Sequence, residues 1–161
     1  MPQNYAEAVA SPESELWMEA IAEETRSLLE KGVYKEVEEK EQRLKRKPLT
    51  TRWVFSLKIN SADNTIERFK ARVVIRGFEQ LEELDFENIF PPTVSHATVR
   101  TYFAHAASGG MEVHHVDVKT AFLNSEVDRE LYCRPPDGLQ NGKTIWRLLK
   151  SLYGLRQAPY C

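Results

Sequence analysis

Two runs decide how this chain folds: TRWVFSLKI at Thr51–Ile59 and IERFKARVVI at Ile66–Ile75. Both are rich in β-branched and aromatic residues, which suit a pleated, half-buried surface. Asn60–Thr65 between them carries Ala62-Asp63-Asn64, whose turn chemistry predicts a β-hairpin. Side chains alternate along a strand, so Lys70 and Arg72 project from one face while Phe69, Ala71 and Val73 occupy the other. The hairpin therefore has an apolar side to bury and a cationic side.

Outward from the hairpin the periodicity changes. Upstream, Leu16, Trp17, Ala20, Ile21, Leu28 and Leu29 recur at helical spacing. Ser11-Pro12-Glu13 predicts the start of that helix, with Ser11 as N-cap and Pro12 at the first helical position; Gly32 predicts its end. Val33–Val37 reads as a short extended piece and Glu38–Pro48 as a polar, basic loop. Downstream, a loop with Pro91-Pro92 precedes a predicted helix at Thr98–Ala107, ended by Gly109-Gly110. Strands are expected at Glu112–Val118, Glu130–Arg134 and Thr144–Leu149, the last two flanking the loop Pro135-Pro136-Asp137-Gly138. This order, without regular βαβ alternation, is α+β.

An apolar fraction of 42% and a charged fraction of 29% over 161 residues are ordinary for a globular protein and allow a sizeable core. No run approaches the ~20 apolar residues of a membrane span, and MPQNYAEAVA lacks the basic start and apolar stretch of a secretion signal. The expectation is an intracellular protein of cytoplasm or nucleus, with no membrane partner. Cys133 and Cys161 have no metal-type spacing and read as two reduced thiols.

The net charge of −2 hides an uneven distribution. Residues 1–41 hold 4 Lys/Arg against 11 Asp/Glu, whereas residues 42–78 hold 10 against 2. A concentrated positive stripe of this kind can neutralise phosphates; a solvated charged surface is the other reading.

Four strings stand in order along the chain: Trp17-Met18-Glu19-Ala20 with Glu23-Glu24 and Leu28-Leu29; the hairpin strings Arg52-Trp53-Val54-Phe55 and Arg68-Phe69-Lys70-Ala71-Arg72-Val73-Val74 with Gly77-Phe78-Glu79-Gln80; Val116-Asp117-Val118-Lys119-Thr120-Ala121-Phe122-Leu123 followed by Glu130-Leu131-Tyr132 and Pro135-Pro136-Asp137-Gly138; and Leu149-Lys150-Ser151-Leu152-Tyr153-Gly154-Leu155-Arg156-Gln157-Ala158-Pro159. Together they make the chain similar to the copia-type reverse transcriptases of LTR retrotransposons. Departures fall at Glu83-Leu84-Asp85-Phe86, at Pro91-Pro92-Thr93-Val94 and at Tyr34, where the family more often has Trp.

The resemblance implies the fingers and a partial palm of a right-hand polymerase. Residues 1–95 would be the fingers-like region with the first helix and the basic hairpin, and residues 96–161 a partial palm with the first catalytic aspartate. Asp117 would be that aspartate and a Mg²⁺ ligand, accompanied by the backbone carbonyl of Val118. Phe122 would lie under the sugar of the incoming deoxynucleotide and exclude a 2′-hydroxyl, and Ala121 would let the triphosphate approach the backbone. Lys58, Lys70 and Arg72 would hold the triphosphate or the template backbone. Tyr153, Gly154, Gln157 and Pro159 would pack against the template. RNA or DNA template-primer and deoxynucleotides are the implied partners.

The family also uses two adjacent aspartates on a later palm hairpin, and no Asp-Asp occurs in these 161 residues. The expectation is a reverse transcriptase fragment, truncated before that hairpin and inactive by itself, because one carboxylate cannot organise two Mg²⁺ ions. The alternatives are a non-catalytic nucleic-acid-binding module and a degenerate remnant of the element.

Overall fold

The computed structural model describes residues 1–161 except 43, 45, 61, 83, 86–93, 117–122, 124, 128 and 159–161. The fold is α+β. Its elements are α1 (Tyr5–Ala10), α2 (Ser14–Glu30), β1 (Tyr34–Glu38), β2 (Thr51–Ile59), β3 (Ile66–Ile75), α3 (His96–Ser108), β4 (Tyr132–Cys133) and β5 (Thr144–Leu148), with 3-10 turns at Glu39–Glu41 and Gly77–Glu79.

The hairpin has the expected limits. β2 and β3 pair antiparallel with Val54 opposite Arg72, Ser56 opposite Lys70 and Lys58 opposite Arg68. Asn64, with φ 58°, supplies the left-handed position of the turn, a conformation that Asn tolerates better than most residues. Trp53, Phe55, Ala71 and Val73 are buried on the inner face. That face packs on α2, where Trp17 meets Phe55 and Phe69 edge to face at centroid distances of 5.2 and 4.6 Å. Burying side chains of this size stabilises by about 1.5–3 kcal/mol each, so the Trp17 contact helps to hold helix and hairpin together.

The start of the first helix is a correction. Ser11 does not cap α2; it closes a separate helix, α1, donating its Oγ hydrogen to Ala8 O at 3.0 Å. The signal for α1 is Asn4-x-x-Glu7. Asn4 Oδ1 accepts from Glu7 N at 2.9 Å while Glu7 Oε2 accepts from Gln3 N at 2.7 Å, so two otherwise orphaned N–H donors are satisfied. α2 then begins at Ser14 after Glu13, which makes no side-chain cap bond. Its end is as expected. Gly32, at φ 59°, donates to Leu29 O and Val33 donates to Leu28 O, both at 3.0 Å, and Val33 and Leu28 are fully buried beside that turn.

β5 is the centre of a three-stranded antiparallel sheet, β1-β5-β4, with Glu36 opposite Trp146 and Cys133 opposite Trp146 on the other side. The Tyr34 ring stacks on the Trp146 ring at 3.8 Å. The pairing of β1 with β5 joins chain from either side of residue 95, and one core cluster draws buried residues from both sides, from Ala8 to Ala158. Cys133 lies inside it, where burial pushes the thiol far above its ordinary pKa.

The strand expected at Glu112–Val118 is a second correction. Residues 111–116 belong to no strand, and 117 and 118 lie outside the described residues. A strand needs a ladder partner for its backbone groups, and no described strand pairs with this segment. Val116 is 79% exposed. The neighbouring α3 begins with Ser95, whose Oγ accepts from Thr98 N, and exposes Tyr102 and Phe103; Ala106 is its buried residue.

Candidate nucleic-acid interface

Residues directly opposite in an antiparallel pair share a face. The register therefore gathers Arg52, Val54, Ser56 and Lys58 from β2 with Arg68, Lys70, Arg72 and Val74 from β3 on the outer side of the hairpin. Five of these eight are cations. They differ in what holds them. Lys58 Nζ donates to Glu67 Oε1 at 2.7 Å, and Arg68 is paired with Glu23 of α2. Arg72 lies over the Tyr153 ring, 5.5 Å from its centroid. Lys70 and Arg52 form no ion pair with another described residue, and Arg52 is exposed.

The segment around Tyr153 reaches this face by a tight backbone junction. Ile75 N donates to Tyr153 O at 2.8 Å. Gly154 sits at φ 89°, and a Cβ there would run into the Ile75 carbonyl and Val74 Cγ1. A Cβ on Gly77 would run into the Gly154 carbonyl. Two glycines are thus required for the loop to lie on the end of β3, next to Arg72.

Behind the junction is a buried polar network. Gln80 Nε2 donates to Gln157 Oε1 at 2.9 Å, Gln157 Nε2 donates to Asp85 O at 3.0 Å, and Gln80 Oε1 accepts from Arg156 N at 2.8 Å. Asp85 accepts from Leu81 N at 2.8 Å and pairs with Arg46. Glu79 closes the far side, accepting from Thr50 N at 2.8 Å and Thr50 Oγ1 at 2.6 Å. Burial pushes the Glu79 carboxyl up, but the two Thr50 bonds together with the Arg76 and Lys47 charges more than offset this and hold its pKa below the ordinary value. Gln157 is 2% exposed with both amide atoms bonded, so it braces the loop and does not present its amide at the surface.

Glu24 of α2 completes the surroundings of Arg72. It is half-buried and accepts from Val73 N at 3.3 Å. Desolvation raises its pKa, with the Val73 bond and the Arg72 charge acting the other way. Desolvation likewise raises the Tyr153 phenol, helped by the Glu24 charge.

Of the residues singled out from sequence, Lys58, Lys70, Arg72, Tyr153 and Gly154 come together on or beside one hairpin face, and Gln157 stands behind it. Asp117, Val118, Ala121, Phe122 and Pro159 lie outside the described residues. Among the described residues no group of three or more His, Cys, Asp or Glu could hold a metal ion, and no helix is long and apolar enough to cross a membrane. Arg52 and Gln80 were not singled out. Strand parity places Arg52 on its face only once the register is known, and Gln80 carries no local signal of its role.

Comparison with known proteins shows the family. Residues 32–161 match the family described as "Reverse transcriptase (RNA-dependent DNA polymerase)". The chain is 42% identical to the Retrovirus-related Pol polyprotein from transposon TNT 1-94 of Nicotiana tabacum, over 98% of this chain and 12% of the relative. It is 34% identical to the Retrovirus-related Pol polyprotein from transposon RE2 of Arabidopsis thaliana, over 67% of this chain and 8% of the relative. With the Transposon Ty1-BL Gag-Pol polyprotein of Saccharomyces cerevisiae the identity is 35%, over 55% of this chain and 5% of the relative. No solved structure matches. The chain belongs to the copia-type reverse transcriptase family, and it spans about an eighth or less of the length of these polyproteins.

Proposed function

We propose that this chain supplies the nucleotide- and template-holding part of an RNA-directed DNA polymerase that acts within a longer Pol polyprotein. The observation that carries the reading is the match of residues 32–161 to reverse transcriptases on a chain whose hairpin gathers Lys70 and Arg72 beside the Tyr153–Gly154 loop. Residues 1–95 act as fingers and residues 96–161 as the beginning of a palm, coupled through the β1–β5 pairing.

Lys70 and Arg72 hold phosphate oxygens by charge-assisted hydrogen bonds, Arg72 with its planar fork steadied on Tyr153. Lys58 joins them when it leaves Glu67. Tyr153, Gly154 and Pro159 meet the template side, and Gln157 positions that loop from behind. The Asp117 carboxylate and the Val118 carbonyl are oxygen donors of the kind Mg²⁺ prefers. Bound there, the ion would supply Lewis-acid stabilisation of phosphoryl oxygens. The Phe122 ring leaves a 2′-hydroxyl without room or a hydrogen-bond partner, so the site favours deoxynucleotides, while the small Ala121 admits the triphosphate.

Two-metal chemistry needs further carboxylates, and these 161 residues contain no adjacent aspartate pair. By themselves they bind template-primer without extending it. The test is purified chain with template-primer, deoxynucleotides and Mg²⁺. Binding that weakens as salt rises, and that falls roughly tenfold or more in Lys70→Glu/Arg72→Glu, is expected together with no extension. Salt-independent binding would overturn the phosphate grip, and primer extension above background would overturn the requirement for outside carboxylates.

A further inference from the structure

The five outer-face cations of the hairpin are not equivalent, and their differences point to Arg52, which lies in a motif string but is given no role by the resemblance. Lys58 and Arg68 stand opposite each other next to the turn, and each is neutralised by a carboxylate of this chain, Glu67 and Glu23. At the other end of the hairpin the balance is reversed. Arg52 faces Val74 across the sheet, one pair along from Val54 and Arg72. It is exposed and makes no ion pair with any described residue. Val74 Cγ1 lies directly under Gly154, so Arg52 flanks the same glycine loop that Arg72 borders.

Strand geometry sets the spacing. Residues two apart on one strand are ~6.6 Å apart and paired strands ~4.8 Å apart. Arg52, Arg72 and Lys70 thus form a short diagonal track of positive charge running from the Tyr153–Gly154 loop toward the middle of the hairpin. Glu24 of α2 sits at the edge of β3, accepting from Val73 N, and its charge acts on Arg72.

We propose that Arg52 is a phosphate-binding residue and that the phosphate track of this protein is Arg52–Arg72–Lys70, on the loop-proximal half of the hairpin. The proposal rests on the nucleic-acid reading above. Its ligand is a row of phosphate oxygens, from either a nucleic-acid strand or a nucleoside triphosphate. An exposed arginine beside two further cations is attracted to such a ligand and can form bidentate bonds to it.

Binding of a fluorescent oligothymidylate to the full 161-residue chain, measured across a salt series, tests this. Arg52→Gln is expected to weaken binding several-fold at low salt and to lower the slope of log K against log salt by about one contact's worth, 0.7–0.9. Lys143→Gln, at an exposed position just before β5, controls for loss of one positive charge. Circular dichroism confirms that each variant is folded. Displacement by dTTP from wild type that is lost in Arg52→Gln assigns Arg52 to the triphosphate, and displacement unaffected by the change assigns it to strand phosphates; both support the track. Equal affinity and slope for Arg52→Gln and Lys143→Gln, with Lys70→Glu/Arg72→Glu still impaired, overturn the role of Arg52 alone. If the Lys70/Arg72 variant also binds like wild type, the underlying nucleic-acid reading falls.

Discussion

Gln80 and Gln157 share a side-chain hydrogen bond of 2.9 Å in surroundings that leave them 3% and 2% exposed. Through it the turn after β3 and the loop after Leu152 are one unit, and the positions of Tyr153 and Gly154 against the hairpin depend on it. Each amide also serves the backbone, at Arg156 N and Asp85 O. Replacing Gln157 with Ala strands buried partners at both ends. The expected loss is about 1–3 kcal/mol, seen as a lower urea midpoint with unchanged m-value. An unchanged midpoint would show that the network is not held in the folded state.

Gly154 carries a second expectation. Its φ of 89° and the closeness of the Ile75 carbonyl leave no room for a methyl group. Gly154→Ala combines left-handed backbone strain with overpacking, and about 3 kcal/mol or more of destabilisation is expected. Gly142 makes the contrast, because it also has positive φ, at 72°, but nothing lies within 4 Å of its added Cβ. Gly142→Ala should cost only the backbone share. Thermal unfolding of the two variants side by side decides the matter, and equal losses would mean the Gly154–Ile75 packing contributes nothing.

The pH dependence of stability has opposite signs at two glutamates. Burial raises the Glu24 pKa above its ordinary 4.5, so the folded state binds a proton there more tightly than the unfolded chain does. Stability from this group is present below about pH 4.5 and is lost as pH rises through the folded-state pKa. Glu79 is lowered, so its contribution is present above about pH 4.5 and is lost as pH falls through its folded-state pKa. Glu24→Gln should therefore raise stability at pH 7, with the gain vanishing in acid, whereas Glu79→Gln should lower stability at pH 7 and converge on wild type in acid. Urea titrations at pH 3.5, 5 and 7 separate the two, and a Glu24→Gln gain that grows toward acid would refute the assignment.

Glu23 holds Arg68 at the rim of the cationic face, in a pair whose side chains are 55% and 48% exposed. Exposed pairs of this kind contribute little to stability, so Glu23→Gln should leave the unfolding midpoint nearly unchanged. It should nevertheless free Arg68 and remove a negative charge beside the proposed phosphate track. Oligothymidylate binding is expected to tighten by a few-fold at low salt, with the gain fading as salt rises. Weaker binding in this variant would mean that the Glu23–Arg68 pair organises the face and does not mask it.

Much of this was readable from the chain alone, where the governing rule is local. Alternation along Thr51–Ile59 and Ile66–Ile75 sets both strands and places Lys70 and Arg72 on one face, because side-chain parity is a property of a single strand. Gly32 ends α2 because only a residue at ease with positive φ completes that turn. Ser11 misled because Ser before Pro favours the start of one helix as readily as the end of another, and Asn4 with Glu7 had already begun one. Over 112–116 the expected strand is absent for a non-local reason: apolar residues favour extension, but only a neighbouring strand can satisfy the backbone there.

What the sequence by itself determined is the family, the basic hairpin and the side of it that faces outward, all carried by residues close together in the chain. Tertiary structure decided which of those cations are paired with carboxylates of the chain. Glu23 reaches Arg68 across 45 positions, and Gln157 reaches Gln80 across 77. β1 reaches β5 across more than a hundred. Such partners follow from packing and strand register, and no pattern within either segment encodes them.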